Sequence, residues 1–205
     1  MPRSLLTRVV IAIYLGSIVS AEPLVTLGES NVTYRGTVTN SIEHFYHIKF
    51  AHDTSGERRF APPEPFTPSP GEVVDATSPG PACPQLQDAL PPFFSVVDEI
   101  SEDCLHLRIS RPAGLGLGPE SKLPVVVWLY GGGVVKGSST DPHFDPESVL
   151  KLSVSDGKPV IYAALNYRGT IFGFARSSSL KEQNSLNNGM RDQRLGFQWL
   201  SLIHI

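Results

Sequence analysis

Residues 123–137 read LPVVVWLYGGGVVKG, and the meaning of that run decides the fold. Pro124 suits the first position of a strand, because its missing N–H removes one ladder bond. Val125, Val126, Val127, Trp128, Leu129 and Tyr130 follow without polar alternation. Such a run predicts a strand buried on both faces, as in a parallel sheet under helices. The chain then enters Gly131-Gly132-Gly133, a loop whose backbone N–H groups have no side chains in the way. Amides gathered at one spot suit an oxyanion, and losing one such donor costs a catalyst about 3–4 kcal/mol of barrier. A plain flexible turn is the other reading of three glycines.

Flanking residues choose between the two. Ser101-Glu102-Asp103-Cys104-Leu105-His106-Leu107 comes before the strand. Asn166-Tyr167-Arg168-Gly169-Thr170-Ile171-Phe172-Gly173-Phe174 and Asn188-Gly189-Met190-Arg191-Asp192-Gln193-Arg194 come after it. In that order, with WLYGGG between them, they resemble the type-B carboxylesterase family of α/β-hydrolases. That family holds carboxylesterases, fungal secreted lipases, cholinesterases and the catalytically silent neuroligins. The resemblance spans residues 24–200. It implies the N-terminal part of an α/β-hydrolase fold, truncated: a mostly parallel central sheet with a small N-terminal antiparallel sheet. It also implies that Gly132 and Gly133 are oxyanion-hole donors and that Gly131 shapes the loop, in the strand–turn context such a loop requires.

Composition sets the class and compartment. The 205 residues suffice for one ordinary domain, and 40% hydrophobic with 18% charged residues describes a globular chain. A net charge of −3 leaves no basic footprint for nucleic acid. Residues 1–21 read as a signal peptide: Arg3 and Arg8 form a basic start, 9–19 are apolar, and Val19-Ser20-Ala21 suits the peptidase. An uncleaved anchor is the alternative, though the run is short for a span. No other stretch is long and apolar enough to cross a membrane, so the mature chain is expected to be secreted. In an oxidising compartment Cys83 and Cys104 are most simply one disulfide. A metal site is the rival, without a CxxC or a histidine pair to support it. The resemblance implies the bridge, ending at Cys104 of SEDC. Asn31-Val32-Thr33 is an N-glycosylation sequon.

Along the chain, residues 23–39 read as two short strands and a turn, and 45–51 as another strand. His44 and His47 have HxxH spacing but no further ligand type nearby, and read as hydrogen-bonded or exposed histidines. Arg59-Phe60-Ala61-Pro62-Pro63-Glu64-Pro65 crosses the surface extended, its prolines fixing φ. The resemblance implies that Arg59 pairs with Glu102 and that Arg168 pairs with Asp192, both structurally; solvated side chains are the alternative for the first. Residues 68–84 read as loop. The 83–104 loop carries Phe93 and Phe94 but no tryptophan, against the cation–π choline site of cholinesterases. Those phenylalanines could line a groove or belong to the core. Residues 105–109 alternate apolar and polar and read as a strand. A helical turn is expected over 147–152, a second fully apolar strand over 158–166 and a helix over 186–200.

Acyl transfer on this fold needs a serine at a G-x-S-x-G elbow, then an acid, then a histidine. No such elbow occurs in the sequence, so no triad residue is assigned and the 205 residues are expected to be inactive alone. The resemblance implies a longer parent that hydrolyses small-molecule or lipid carboxylic esters without a cofactor. A neuroligin-like adhesion protein of the same fold is the rival. A P-loop is not, since Lys136 precedes Gly137 rather than following it. Residues 22–200 form the family domain in this reading. Residues 201–205 depart from the expected continuation and read as a non-native tail. The apolar strands at 125–130 and 159–165 are expected to present unpaired edges and bare faces.

Overall fold

The computed structural model describes residues 22–28, 30–117 and 121–202. Residues 1–21, expected to be a signal peptide, and residues 203–205 of the expected tail lie outside the described residues. Strands and helices run in the order β1 (Leu24–Thr26), β2 (Thr33–Arg35), β3 (Thr37–Thr39), β4 (Ile42–Lys49), β5 (Val73–Asp75), β6 (His106–Pro112), β7 (Val125–Trp128), α1 (Glu147–Ser155), β8 (Ile161–Leu165), α2 (Thr170–Phe174), α3 (Ser178–Glu182) and α4 (Asn188–Leu202).

The two apolar runs become neighbouring parallel strands, β7 beside β8, with Val125 opposite Ile161 and Trp128 opposite Ala164. They belong to a five-stranded sheet of order β3-β4-β6-β8-β7. A parallel neighbour needs a crossover, and α1 lies in the link between β7 and β8. The sequence suggested a mostly parallel sheet, but β3–β4, β4–β6 and β6–β8 pair antiparallel. The first of these is a hairpin whose tip, Asn40-Ser41, holds positive φ at both residues (51° and 66°), as a tight twisted turn requires.

The small sheet has the order β1-β2-β5. β1 and β2 form the expected antiparallel hairpin, while β5 joins parallel to β2 from a stretch that read as loop. Three residues are too few for a periodicity to show; pairing with β2 makes this strand.

Alternation along β8 sorts its side chains. Ile161, Ala163 and Leu165 join a core with Phe45, Ile48, Leu107 and Ile109, against which Leu195, Trp199 and Leu200 of the α4 segment pack. Tyr162 and Ala164 face the other way, with Ile42 and Leu150 of α1. Helices thus cover both faces, the layering of an α/β fold. Met190 and Phe197 of α4 are exposed.

The alternating stretch forms β6, and both of its faces are buried. His106, Arg108 and Ser110 are buried along with Leu107 and Ile109. Their polar groups find internal company: Ser110 meets His44 Nδ1 at 2.8 Å, and the Arg108 guanidinium sits over the Tyr46 and Tyr162 rings. Period two reports which side chains share a face, not whether that face is wet.

β7 departs from the burial on both faces expected of its apolar run. Val125, Val126 and Val127 are 47%, 44% and 37% exposed, because β7 is an edge strand with β8 as its single partner among the described residues. β8, expected to be similarly bare, is paired on both sides and buried throughout. A flat valine edge is a template for further pairing. The isolated 205-residue polypeptide is therefore expected to self-associate, and Val126→Lys to raise the monomer fraction in light scattering. A monodisperse, cooperatively melting unsubstituted chain would contradict this.

Candidate functional site

Two tyrosines hold the entrance to the glycine loop. Tyr130 ends the β7 run and Tyr167 follows β8, and their rings stack with centroids 4.4 Å apart. The Tyr130 hydroxyl donates to the Tyr167 carbonyl at 2.6 Å, and the Tyr167 hydroxyl donates to the Tyr130 carbonyl at 2.7 Å. The Tyr167 amide donates to the Tyr130 hydroxyl at 3.2 Å. Burial pushes both phenols above their ordinary value, so both remain protonated donors.

From this clamp the chain turns through Gly131, Gly132 and Gly133. Gly132 has φ +117°, and a Cβ there would fall 2.0 Å from the Lys136 carbonyl oxygen. Only glycine permits that approach. The Val135 amide closes the turn onto the Gly132 carbonyl at 3.1 Å, and the Thr170 amide binds the Val134 carbonyl at 2.6 Å. Among the described residues, the amides of Gly131, Gly132 and Gly133 donate to no protein acceptor. Gly131 and Gly133 lie open, with nothing within 4 Å of a built Cβ. The turn is thus anchored by its neighbours while its own donors stay free. Phe94 is buried beside Gly132, whereas Phe93 is exposed, which gives the first a packing role.

Cys83 and Cys104 are bonded to each other. The 83–104 loop they close reaches the exit of the glycine turn through Gln85, whose side chain bonds the amide and carbonyl of Gly137. Lys136 donates to the carbonyls of Leu86 and Asp88. Neither contact was legible from sequence, since a lone glutamine or lysine carries no pattern. A cavity of about 440 Å³ lies beyond this exit, lined by Ser95, Glu99, Ser138 and Asp141 and by none of the three glycines.

Below the β8 end, Arg168 and Asp192 form a fully buried pair. The guanidinium donates through Nε and Nη2 at 2.9 and 2.7 Å, and the Arg168 amide donates to the same carboxylate at 2.9 Å. Arg168 Nη1 also donates to the Ala61 carbonyl at 2.8 Å, and Asn188 Nδ2 to the Phe60 carbonyl at 2.6 Å. The proline-rich 60–65 segment is so tied to the start of α4. Burial raises the Asp192 carboxyl, opposed by the bonds from Arg168. Arg59 meets Glu102 in a forked contact of 2.5 to 3.0 Å, with Arg59 half in solvent.

Other chemistry-bearing side chains meet elsewhere in the described residues. Ser95, Asp141 and His143 meet, but Ser95 Oγ and Asp141 Oδ1 both contact the same ring nitrogen, Nδ1, at 3.0 Å. A relay needs serine and acid on opposite nitrogens, so this trio caps a turn. His44 is buried against Ser110, and His47 meets the His106 ring edge-on at 4.8 Å. No group of three metal-ligating side chains occurs among the described residues. Asn31 is exposed, with φ 51°.

Residues 26–203 match the carboxylesterase family. The chain is 45% identical over 169 residues to the inactive carboxylesterase-like protein VdtD of Byssochlamys spectabilis, covering 82% of this chain and 29% of that protein. It is 41% identical over 184 residues to a secreted lipase of Arthroderma benhamiae, covering 90% and 32% respectively. The solved structure of a thermophilic pNB esterase superposes with a TM-score of 0.71 at 35% identity, over 87% of this chain and 35% of that one. The chain thus spans about a third of the length of these relatives.

Two expectations follow from the buried polar groups. Removing one partner of a buried ion pair strands the other charge, so Asp192→Ala should destabilise by about 3–5 kcal/mol in urea unfolding of the monomeric Val126→Lys chain. His106 donates from Nε2 to the Pro81 carbonyl at 2.8 Å, and its buried Nδ1 has no partner among the described residues. Burial, with help from His47 and Lys49, holds its pKa down from 6.5 to about 3. Folded His106 stays neutral where the unfolded residue takes a proton. Stability from this group is whole above pH 6.5 and drains as pH falls toward 3, by about 1.4 kcal/mol per unit. His106→Gln should flatten that part of the pH–stability curve.

Proposed function

The chain belongs to the carboxylesterase family, and on that footing we propose that it is the oxyanion-loop portion of a longer secreted carboxylic-ester hydrolase. In this reading residues 1–21 direct export, residues 22–200 are the N-terminal part of the catalytic domain, and 201–205 are a non-native tail. The nucleophile, its acid and its histidine would be supplied by sequence beyond these 205 residues. Gly132 and Gly133 would donate their amides to the oxygen of the tetrahedral intermediate. Gly131 would set the curvature that aims them. The chemistry is acyl transfer through a serine ester: attack on the carbonyl carbon pushes charge onto its oxygen, and preorganised N–H groups meet that charge without reorganising.

The observation that supports this best is the contrast within one turn. Its flanks are bonded at Tyr130, Val134 and Gly137, yet the three glycine amides have no acceptor among the described residues. Donors kept free on an anchored backbone suit a transient anion better than a hinge. The names of the secreted lipase relatives agree with export and with ester substrates.

A second reading is a non-catalytic protein of the same fold, with surface contacts as its function. It is favoured by the 45% identical relative that is named as inactive. The residue at the nucleophile elbow of the longer protein separates the two.

Hydrolysis of short- and long-chain p-nitrophenyl esters by the full-length protein tests the first reading. Gly132→Ala would push a Cβ into the Lys136 carbonyl and displace the donors, so kcat should fall about 10²–10³-fold. An unchanged kcat in this variant, in an active enzyme, would remove the proposed role of the loop.

A further inference from the structure

The exit of the glycine turn is held by a side chain that no motif marks. Gln85 Nε2 donates to the Gly137 carbonyl at 2.7 Å, and Gln85 Oε1 accepts from the Gly137 amide at 2.8 Å. The same Nε2 donates to the Cys83 carbonyl at 3.1 Å. A side-chain amide bonded to both the N–H and the C=O of one residue acts as a strand neighbour would. It fixes that residue's peptide planes on either side.

Gly137 has no freedom to absorb a change there. Its φ is +133°, and a Cβ would fall 2.2 Å from the Tyr130 ring and 2.8 Å from the Gly131 carbonyl oxygen. The exit of the turn therefore lies against its entrance. The preceding carbonyl, that of Lys136, lies against Gly132 in the same way. Whatever locates Gly137 also locates Gly131 and Gly132. Two of the three anchors on this turn come from the β8 side: the tyrosine clamp, and the Thr170 amide on the Val134 carbonyl. The third comes from the disulfide loop, where Lys136 adds its bonds to the Leu86 and Asp88 carbonyls.

We propose that Gln85 is a positioning residue for the Gly132 and Gly133 amides, and that through Gln85 the Cys83–Cys104 loop sets where those donors stand. This rests on the ester-hydrolase reading given above. Gln85 touches no reacting atom; it acts through Gly137. Its loss should loosen one end of the turn while the tyrosine clamp keeps the fold intact. Displacement of a catalytic group by about 1 Å costs on the order of 100-fold in rate, which sets the scale of the effect.

Gln85→Leu and Gln85→Glu, each in the full-length protein, test the proposal against wild type. Three quantities are read: kcat and KM on p-nitrophenyl butyrate, inhibition by a trifluoromethyl ketone, and hydrogen exchange of the peptide spanning residues 131–137 by mass spectrometry. The ketone is captured as a hemiketal whose oxyanion sits where the transition-state charge sits. Gln85→Leu should lower kcat on the order of 10- to 100-fold and weaken the ketone by the same factor. KM should stay within about twofold, because only transition-state binding is lost. Exchange over 131–137 should quicken while the thermal midpoint holds.

Gln85→Glu keeps an acceptor for the Gly137 amide but sets a carboxylate oxygen against the Gly137 carbonyl. Protonation restores the donor, so its activity relative to wild type should recover as pH falls through the carboxyl range, near about 4.3. A residue that merely filled space would show no such profile. Equal exchange over 131–137 in wild type and Gln85→Leu, or a change in KM alone, would overturn the proposal. If wild type hydrolyses no ester, the hydrolase reading fails by itself, and the exchange measurement still decides whether Gln85 holds the turn.

Discussion

Where two parallel strands end side by side, their last backbone groups lose the ladder that paired them. Tyr130 and Tyr167 answer that constraint here by each giving a hydroxyl to the other's carbonyl across a stacked pair of rings. Burial keeps both phenols protonated, and each one satisfies a carbonyl that would otherwise be stranded in the core. Two segments leave from this point. The glycine turn departs after Tyr130, and the Arg168 segment departs after Tyr167. The two are therefore positioned relative to each other before any ligand arrives.

The next layer outward is ionic. Arg168 and Asp192 lie in the core with hydrogen bonds to spare for Ala61, and Asn188 binds the neighbouring Phe60 carbonyl. A buried pair of this sort adds little net stability against an apolar alternative but tolerates one arrangement only. Here that arrangement joins a surface strap, a strand end and a helix start. His106 plays a quieter version of the same part. Its ring meets Pro81, to which Asn166 also donates, and Asn166 Oδ1 receives the Ser139 amide at 2.9 Å. Polar atoms with single geometric solutions thus lie close to the glycine turn.

Much of this was legible in the residues. An unbroken apolar run followed by three glycines speaks locally, because burial and backbone freedom are properties of the residues themselves. Arg59, Glu102, Arg168 and Asp192 stood out because they sit inside recognisable motifs, and each motif carries its partner elsewhere in the chain. β5 was missed because three residues hold no period. Alternation marked β6 as a strand, but it cannot tell a solvated face from one covered by Tyr46, Tyr162 and Pro81.

The sequence by itself determined the α/β class, the strand-to-glycine turn, the cysteine pair available for bonding and the family to which the chain belongs. The first three rest on composition or on spacing within a short window; the family rests on the resemblance of several motifs in their order along the chain. Only the tertiary structure decided that β7 lies at a sheet edge, that β6 is buried on both faces, and that Gln85 grips a residue 52 positions away. Those outcomes depend on which distant segments meet. A hydrogen bond between remote residues is set by the path of the whole backbone, and neither residue alone bears a mark of it.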